Sequence, residues 1–430
     1  MNVDDPDPSH PDRSGEHLTA DGRLVVVAAA VVRAGRLLGA RRSSPSQLAG
    51  LWELPGGKVE PGEDPPTALL RELTEELSID AAVVGTVRGP GTGDWPLTDE
   101  SVLRVLRVRL PPDEAVRPGT AHDEVRWFEP WAMGEVPWVP ADVAPARAAA
   151  DAVGTWVGFP YGEVSGTGTV IRVQELGQRF GVIVDRTPFH PLDHAWPDQP
   201  ADHGTLAGQA VEDVLTGAID DDGVLTVGAD IEVRRGDSSC SWVVVHVVGG
   251  PAPEPGVSVA MEVDAQRRAR LCAAHTACHL AALAMNEVTA DCWHKEPPRR
   301  DSRGNPDLDQ SSIQLSRILT DATRDEYRFG RSLRKAGFDA AGLLADLVTY
   351  QDRAQSLVDA WIGAGAAVRV ETGGDPTLTA RRRWVCDLPG RAGVVPCGGT
   401  HVTSLAALAG VRLMWEPMAE GLLVRTSLGR

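Results

Sequence analysis

The chain has 430 residues, 42% apolar and 24% charged, with a formal net charge of -18. That length exceeds what one hydrophobic core normally serves, so two or three domains are expected, and the composition is that of a globular rather than a disordered or fibrous protein. The acidic balance excludes broad attraction to nucleic acid, leaving only local basic patches for RNA, and no apolar run approaches the ~20 residues of a membrane span.

Residues 1–22 are rich in Asp, Pro, Ser and His and read as a disordered tail, neither a secretory signal nor an anchor. The six cysteines (Cys240, Cys272, Cys278, Cys292, Cys386, Cys397) form no dense disulfide framework, which fits a reducing cytoplasm.

Apolar strands are predicted from Leu24 to Val32 and Arg36 to Arg42, separated by the turn-like Ala34-Gly35. After Pro55-Gly56-Gly57, residues Leu69, Leu70, Leu73 and Leu77 recur at helical spacing, with Pro65 and Pro66 tolerated in the first turn. Strands follow at Ala81 to Val87 and Val102 to Leu110, and an Ala-rich helix from about Val143 to Val153 closes the first domain, residues 23–153. Gly- and Val-rich alternation through Val248, broken by turns such as Asp220-Asp221-Asp222-Gly223, predicts a small β-barrel-like domain over 154–256. Pro251 to Gly256 reads as a linker or wide turn. Residues 257–430 read as α+β, with helices from Asp264 to Asn286 and from about Asp325 to Gly363, then strands near Ala367 to Val370, Trp384 to Cys386 and Val411 to Trp415.

Gly57, Glu63, Arg71, Glu72, Leu73, Glu75, Glu76 and Ile79 stand in the order G-x5-E-x7-R-E-U-x-E-E-x-x-U. On a helix, Glu72, Glu75 and Glu76 share one face, where three anions repel unless hard cations neutralise them, and Mg²⁺ or Mn²⁺ prefer such oxygens. The chemistry served is attack of water on a phosphoanhydride. The bland alternative is a solvated acidic face, against which the six Gly, Glu and Arg positions coincide by chance only on the order of 10⁻⁷ per starting residue.

This pattern resembles the Nudix box, and Trp52-Glu53-Leu54-Pro55-Gly56-Gly57-Lys58 resembles its flank in pyrophosphohydrolases of the MutT and CTP type. The resemblance implies an α/β/α sandwich, metal ligation by Gly57, Glu72, Glu75 and Glu76, support from Glu63 and Arg71, and release of a monophosphate and pyrophosphate. Asp142 matches a position that contacts the base in relatives, and Arg41 and Lys58 are further expected substrate contacts. Two departures stand out: Ser78 replaces the last Gly of the box, and Ala121 replaces a metal-binding Glu, for which Asp123 or Glu124 are the candidate substitutes.

His275 and His279 lie one helical turn apart, and Cys397 and His401 repeat that interval. Imidazole and thiolate are Zn²⁺ ligands, and two separated pairs complete a tetrahedron only if the fold unites them. Spacing alone leaves a structural pair, a closed zinc site and a catalytic site all open. The words Asp264-Ala265-Gln266-Arg267-Arg268, His275-Thr276-Ala277-Cys278-His279 and Cys397-Gly398-Gly399-Thr400-His401 resemble the editing domain of alanyl-tRNA synthetase and its free-standing AlaX relatives. Thr187 to Pro191 and Gln199 to Gly204 resemble the β domain before it. The resemblance implies a zinc site of His275, His279, Cys397 and His401, contacts to substrate from Thr276 and Gln199, and hydrolysis of a wrong amino acid, usually serine, from tRNA for alanine. His194 to Asp198 replace a Gly-rich run of relatives, so Trp196 is expected to narrow the pocket or stack on an adenosine. Basic clusters at Arg267-Arg268-Arg270, Lys295-Arg299-Arg300-Arg303 and Arg381-Arg382-Arg383 offer either an acceptor-stem track or, more commonly, solvated surface.

The chain therefore reads as a two-enzyme hydrolase acting on a nucleotide and on tRNA. The alternative is a nucleotide sensor joined to a structural zinc fold that binds RNA, or to a hydrolase of a small aminoacyl compound.

Overall fold

The computed structural model describes residues 17–429 apart from 34–35, 91–92, 112–113, 129, 152–153, 221–223, 238–239, 374–376 and 409. Most of the expected tail and the turns at Ala34-Gly35 and Asp221-Asp222-Gly223 lie outside the described residues. The end of that tail has structure: Leu18 bridges Leu24, and the Val25 N–H donates to the His17 carbonyl at 3.1 Å. The chain divides into two compact units, Met1–Gly154 with Ile219–Leu225 and Asp237–Ser241, and the remainder.

The first unit contains β1 (Leu24–Arg33), β2 (Arg36–Arg42), β3 (Trp52–Glu53), β4 (Gly56–Lys58), α1 (Pro65–Leu77), β5 (Ala82–Val87), β6 (Trp95–Thr98), β7 (Ser101–Arg109), β8 (His122–Phe128) and α2 (Val143–Asp151). Strand β1 is apolar from Leu24 to Val32 because both faces are covered. Val25, Val27, Ala29 and Val31 pack with Leu69, Leu73 and Leu77 of α1. Ala28 and Ala30 cluster instead with Ala146, Ala149 and Ala150 of α2, so the sheet lies between two helices. Each buried leucine of α1 contributes roughly 1.5–3 kcal/mol. Strand β4 pairs with β1 through Ala28↔Gly56 and Val27↔Gly57, which holds the glycine segment against the sheet just before α1. Asp64 caps α1 by accepting from the Thr67 N–H at 2.8 Å, and Ser78 ends it in the left-handed conformation (φ 54°), a cost of ~1 kcal/mol for a non-glycine residue.

Through the second unit run β9 (Trp156–Val157), β10 (Ser165–Leu176), β11 (Arg179–Val184), β12 (Arg186–Thr187), β13 (Gly204–Leu206), β14 (Gln209–Ile219), β15 (Leu225–Val227), β16 (Ser241–Val248), β17 (Ser258–Val263), α3 (Ala265–Val288), α4 (Leu308–Ser312), β18 (Ile313–Ile318), β19 (Ala322–Arg328), α5 (Arg331–Lys335), α6 (Ala340–Ala345), α7 (Leu347–Gly363), β20 (Val368–Thr372), β21 (Arg382–Cys386), β22 (Gly393–Pro396), β23 (Arg412–Met418) and β24 (Gly421–Ser427). One sheet has the order β13-β17-β10-β11-β16-β14-β15, and β13 also pairs β14, which closes six of these strands into a ring and leaves β15 paired to β14 alone. Pro251 to Gly256 is a turn leading into β17, which pairs with β10, so this sheet continues beyond residue 257 to Asp264, the N-cap of α3. The sheet β18-β19-β24-β23 packs with α3 and α7 in a second core that includes Leu280, Ala284, Val358, Trp361 and Leu422.

The helical region expected from Asp325 starts later. Thr323, Asp325 and Tyr327 alternate inward on β19, paired on both sides, and helices begin only at Arg331. The six cysteines are free, and no helix among the described residues is long and apolar enough to cross a membrane.

Candidate functional site

In the first unit, α1 carries Glu72 and Glu76 toward the glycine segment of β4. A Cβ built on Gly57 would fall 2.3 Å from the Glu72 carboxylate, so only glycine lets that carboxylate lie against the backbone. Arg71 lies among the acids: its Nε donates to Glu63 at 3.0 Å and its Nη1 to Glu72 at 3.1 Å and Glu75 at 3.4 Å. Glu76 is held differently. Its Oε2 is buried without a hydrogen-bond partner, and burial, together with the neighbouring charges of Glu72 and Glu53, pushes its carboxyl up to about 7. Crowded carboxylates with an orphaned buried oxygen are a donor set suited to a hard divalent cation.

Glu53 is a buried neighbour of these carboxylates that the sequence did not single out. It accepts from Arg42 Nη1 at 2.6 and 2.9 Å and lies 2.8 Å from His122 Nε2. Asp142 is buried nearby, and desolvation plus the charge of Glu53 raises its carboxyl to about 7. Arg41 is occupied by Asp123 at 2.7 Å and Glu124 at 2.8 Å, so both proposed substitutes for the missing glutamate at Ala121 are engaged with an arginine. The Lys58 carbonyl accepts from Arg71 at 3.2 Å, and its side chain is exposed.

In the second unit the fold unites the two separated pairs. The donor atoms of His275, His279, Cys397 and His401 lie within 4.8 Å of one another, the one such set of three or more His, Cys, Asp or Glu found among the described residues. Cys397 Sγ is 3.4 Å from His275 Nε2 and 3.2 Å from His401 Nε2. Burial lowers the imidazolium of His275 to about 3 and those of His279 and His401 well below the usual value, which keeps the rings in the neutral form that binds metal. Burial pushes the Cys397 thiol up to about 12. His279 Nε2 has no hydrogen-bond partner, as a ligand atom awaiting an ion would have. These donors fit Zn²⁺.

Two expected substrate contacts, Gln199 and Thr276, hydrogen-bond within that set. Gln199 is 1% exposed; its Oε1 lies 2.8 Å from His275 Nδ1 and accepts from the Thr400 N–H at 3.0 Å. Thr276 is fully buried, with its hydroxyl 3.3 Å from His401 Nδ1 and accepting from the Val402 N–H. Neither lines the adjoining cavity of about 410 Å³, whose walls include His275, His279 and Cys397 as well as Trp196, Asp198 and Arg235.

Several side chains of the basic clusters have partners within the fold. Arg268 is buried against Asp202, Arg270 pairs with Asp321, Arg382 is buried against the carbonyl of Leu378, and Arg383 pairs with Glu371. Arg300 pairs with Glu296 and Arg303 with Glu287.

Comparison with known proteins divides the chain the same way. The family model for the NUDIX domain matches residues 22–149. Over 119 residues the chain is 42% identical to a putative 8-oxo-dGTP diphosphatase 2 of Mycobacterium tuberculosis, covering 27% of this chain and 82% of that protein. It is 35% identical over 125 residues to the CTP pyrophosphohydrolase of Escherichia coli, covering 28% and 86%. The C-terminal region matches the alanyl-tRNA editing protein AlaX-M of Pyrococcus horikoshii at 26% identity over 260 residues, covering 60% of this chain and 86% of that one.

Proposed function

The chain belongs to the Nudix family of hydrolases, and from that premise we infer that residues 23–153 hydrolyse a nucleoside triphosphate of the 8-oxo-dGTP or CTP type to a monophosphate and pyrophosphate. The observation carrying this reading is the Glu72 carboxylate seated on Gly57 beside the unpaired Glu76 oxygen. Glu72, Glu75 and Glu76, with the Gly57 backbone, would hold Mg²⁺ or Mn²⁺, which when bound supplies charge neutralisation for the phosphates and a more acidic water. The water oxygen bonds to phosphorus while the bond to the departing pyrophosphate oxygen breaks. Arg71 spaces the carboxylates and Glu63 braces Arg71. Asp142, its carboxyl raised to about 7, would in its protonated form offer a hydrogen bond to the base edge.

Residues 154–256 and 257–430 form the second enzyme, which cleaves an aminoacyl ester, with seryl-tRNA for alanine as the leading substrate. His275, His279, Cys397 and His401 would hold Zn²⁺, which when bound supplies a Lewis acid and an acidified water. Gln199 and Thr276 keep the rings of His275 and His401 oriented. On this reading the protein acts in the cytoplasm.

The test gives the full chain a panel of nucleotides with Mg²⁺ and, separately, seryl-tRNA with Zn²⁺. Pyrophosphate release and deacylation are expected. Tight nucleotide binding without turnover would establish a sensor instead, and retained zinc without cleavage of any aminoacyl-tRNA would reduce the second half to a structural fold.

A further inference from the structure

The cavity beside the metal-ligand tetrad has a second chemical character. Along α3 it passes from His275 through Cys278 to Ala282, and there its walls include Asp309, Ser316 and Asp325. Asp325 is 1% exposed and accepts from Ser316 Oγ at 2.6 Å and Thr323 Oγ1 at 2.9 Å, with the Cys278 thiol 3.5 Å away. Asp309 accepts from the Tyr327 hydroxyl at 2.9 Å. Neither carboxylate has an ion pair among the described residues, whereas Asp193 on the same cavity is paired with Arg235. A buried carboxylate surrounded only by neutral donors lacks the countercharge that normally offsets its desolvation.

A second observation fits a polar ligand in the cavity. His190, 7% exposed, lines it with a buried Nδ1 that has no hydrogen-bond partner. A ring nitrogen left orphaned against a cavity is satisfied by what enters.

We propose that Asp325, assisted by Asp309, selects substrates whose acyl group carries a protonated amine, which enters this end of the cavity and supplies the missing countercharge. The inference rests on the ester-hydrolase reading of the second half and names the specificity determinant of that site. The hydroxyls of Ser316 and Thr323 fix the Asp325 carboxylate, leaving its remaining acceptor capacity for an ammonium group.

The test is calorimetric titration of the zinc-loaded full chain with two pairs of hydrolysis-resistant adenosine 3′-amides, alanyl against lactyl and ornithyl against norvalyl. In at least one pair the amine-bearing member should bind at least ~10-fold tighter, and Asp325→Asn should remove that preference while leaving zinc content and binding of the other member unchanged. Asp309→Asn serves as a second variant should Asp325→Asn lose its native circular dichroism. Equal binding within both pairs, or a preference that survives both substitutions, overturns the proposal. Amine-dependent binding without cleavage of the corresponding esters would uphold it and sink the hydrolase reading. Cleavage without amine preference would do the reverse, and absence of binding by all four compounds would overturn both.

Discussion

Gln199 Oε1 lies 2.8 Å from His275 Nδ1, joining residues 76 positions apart and leaving Nε2 of that ring directed at Cys397. The contact fixes the tautomer, because a ring that donates from Nδ1 keeps its lone pair on Nε2. Gln199→Leu should therefore lower zinc affinity about 10–100-fold without unfolding the chain. Zinc retention against a graded chelator measures this, and unchanged retention would make Gln199 a mere packing residue.

The thiol of Cys397 is raised to about 12 by burial, so in the metal-free protein it stays protonated throughout the neutral range. Zinc must displace that proton, whereas the three buried imidazoles are already neutral. Loading zinc at pH 7 should release about one proton per chain, and affinity should rise with pH about tenfold per unit. A pH-indicator titration reads the proton, and Cys397→Ala should abolish its release.

Glu76 has its carboxyl raised to about 7, chiefly by burial. A carboxylate must lose its proton to bind magnesium, so at limiting Mg²⁺ the nucleotide hydrolysis rate should climb as pH rises through about 7 and the dependence should weaken as Mg²⁺ saturates. Glu76→Gln should lower the rate by about 10²-fold or more. A variant as active as the parent would remove Glu76 from the metal site.

Asp142 is also raised to about 7, from an ordinary value of 3.8, by desolvation and the charge of Glu53. The folded state holds this proton more tightly than the unfolded chain, so the carboxyl costs stability progressively as pH rises from near 4 to near 7 and the full cost applies above that. Asp142→Asn should stabilise the first unit by about 2 kcal/mol more at pH 8 than at pH 5. Denaturant titrations at the two pH values check the sign; a larger gain at the lower pH would contradict it.

Much of the first unit was legible because its signals are local. The spacing of Leu69, Leu73 and Leu77 is the buried face of α1, and the glycine of the box is the residue on which Glu72 lies. Glu53 escaped notice because its partners His122 and Arg42 lie on other strands, and no periodicity within a β-strand of two residues marks it. Asp325 was read as the start of a helix because residues from Arg331 onward are helical, while pairing with β18 and β24 extends that stretch of chain into a strand.

By itself, the sequence determined the donors: three glutamates on one face of a helix, and histidines and a cysteine at one-turn intervals, since rise and rotation per residue are constants of local backbone geometry. Only the tertiary structure decided which donors meet. Cys397 reaches His275 across 122 positions, Gln199 and Thr276 meet the rings of His275 and His401, and Arg268 of the basic clusters is drawn into a buried ion pair with Asp202. Such meetings depend on how sheets and helices bury their apolar faces against one another, a property of the whole packed core that no short stretch of chain contains.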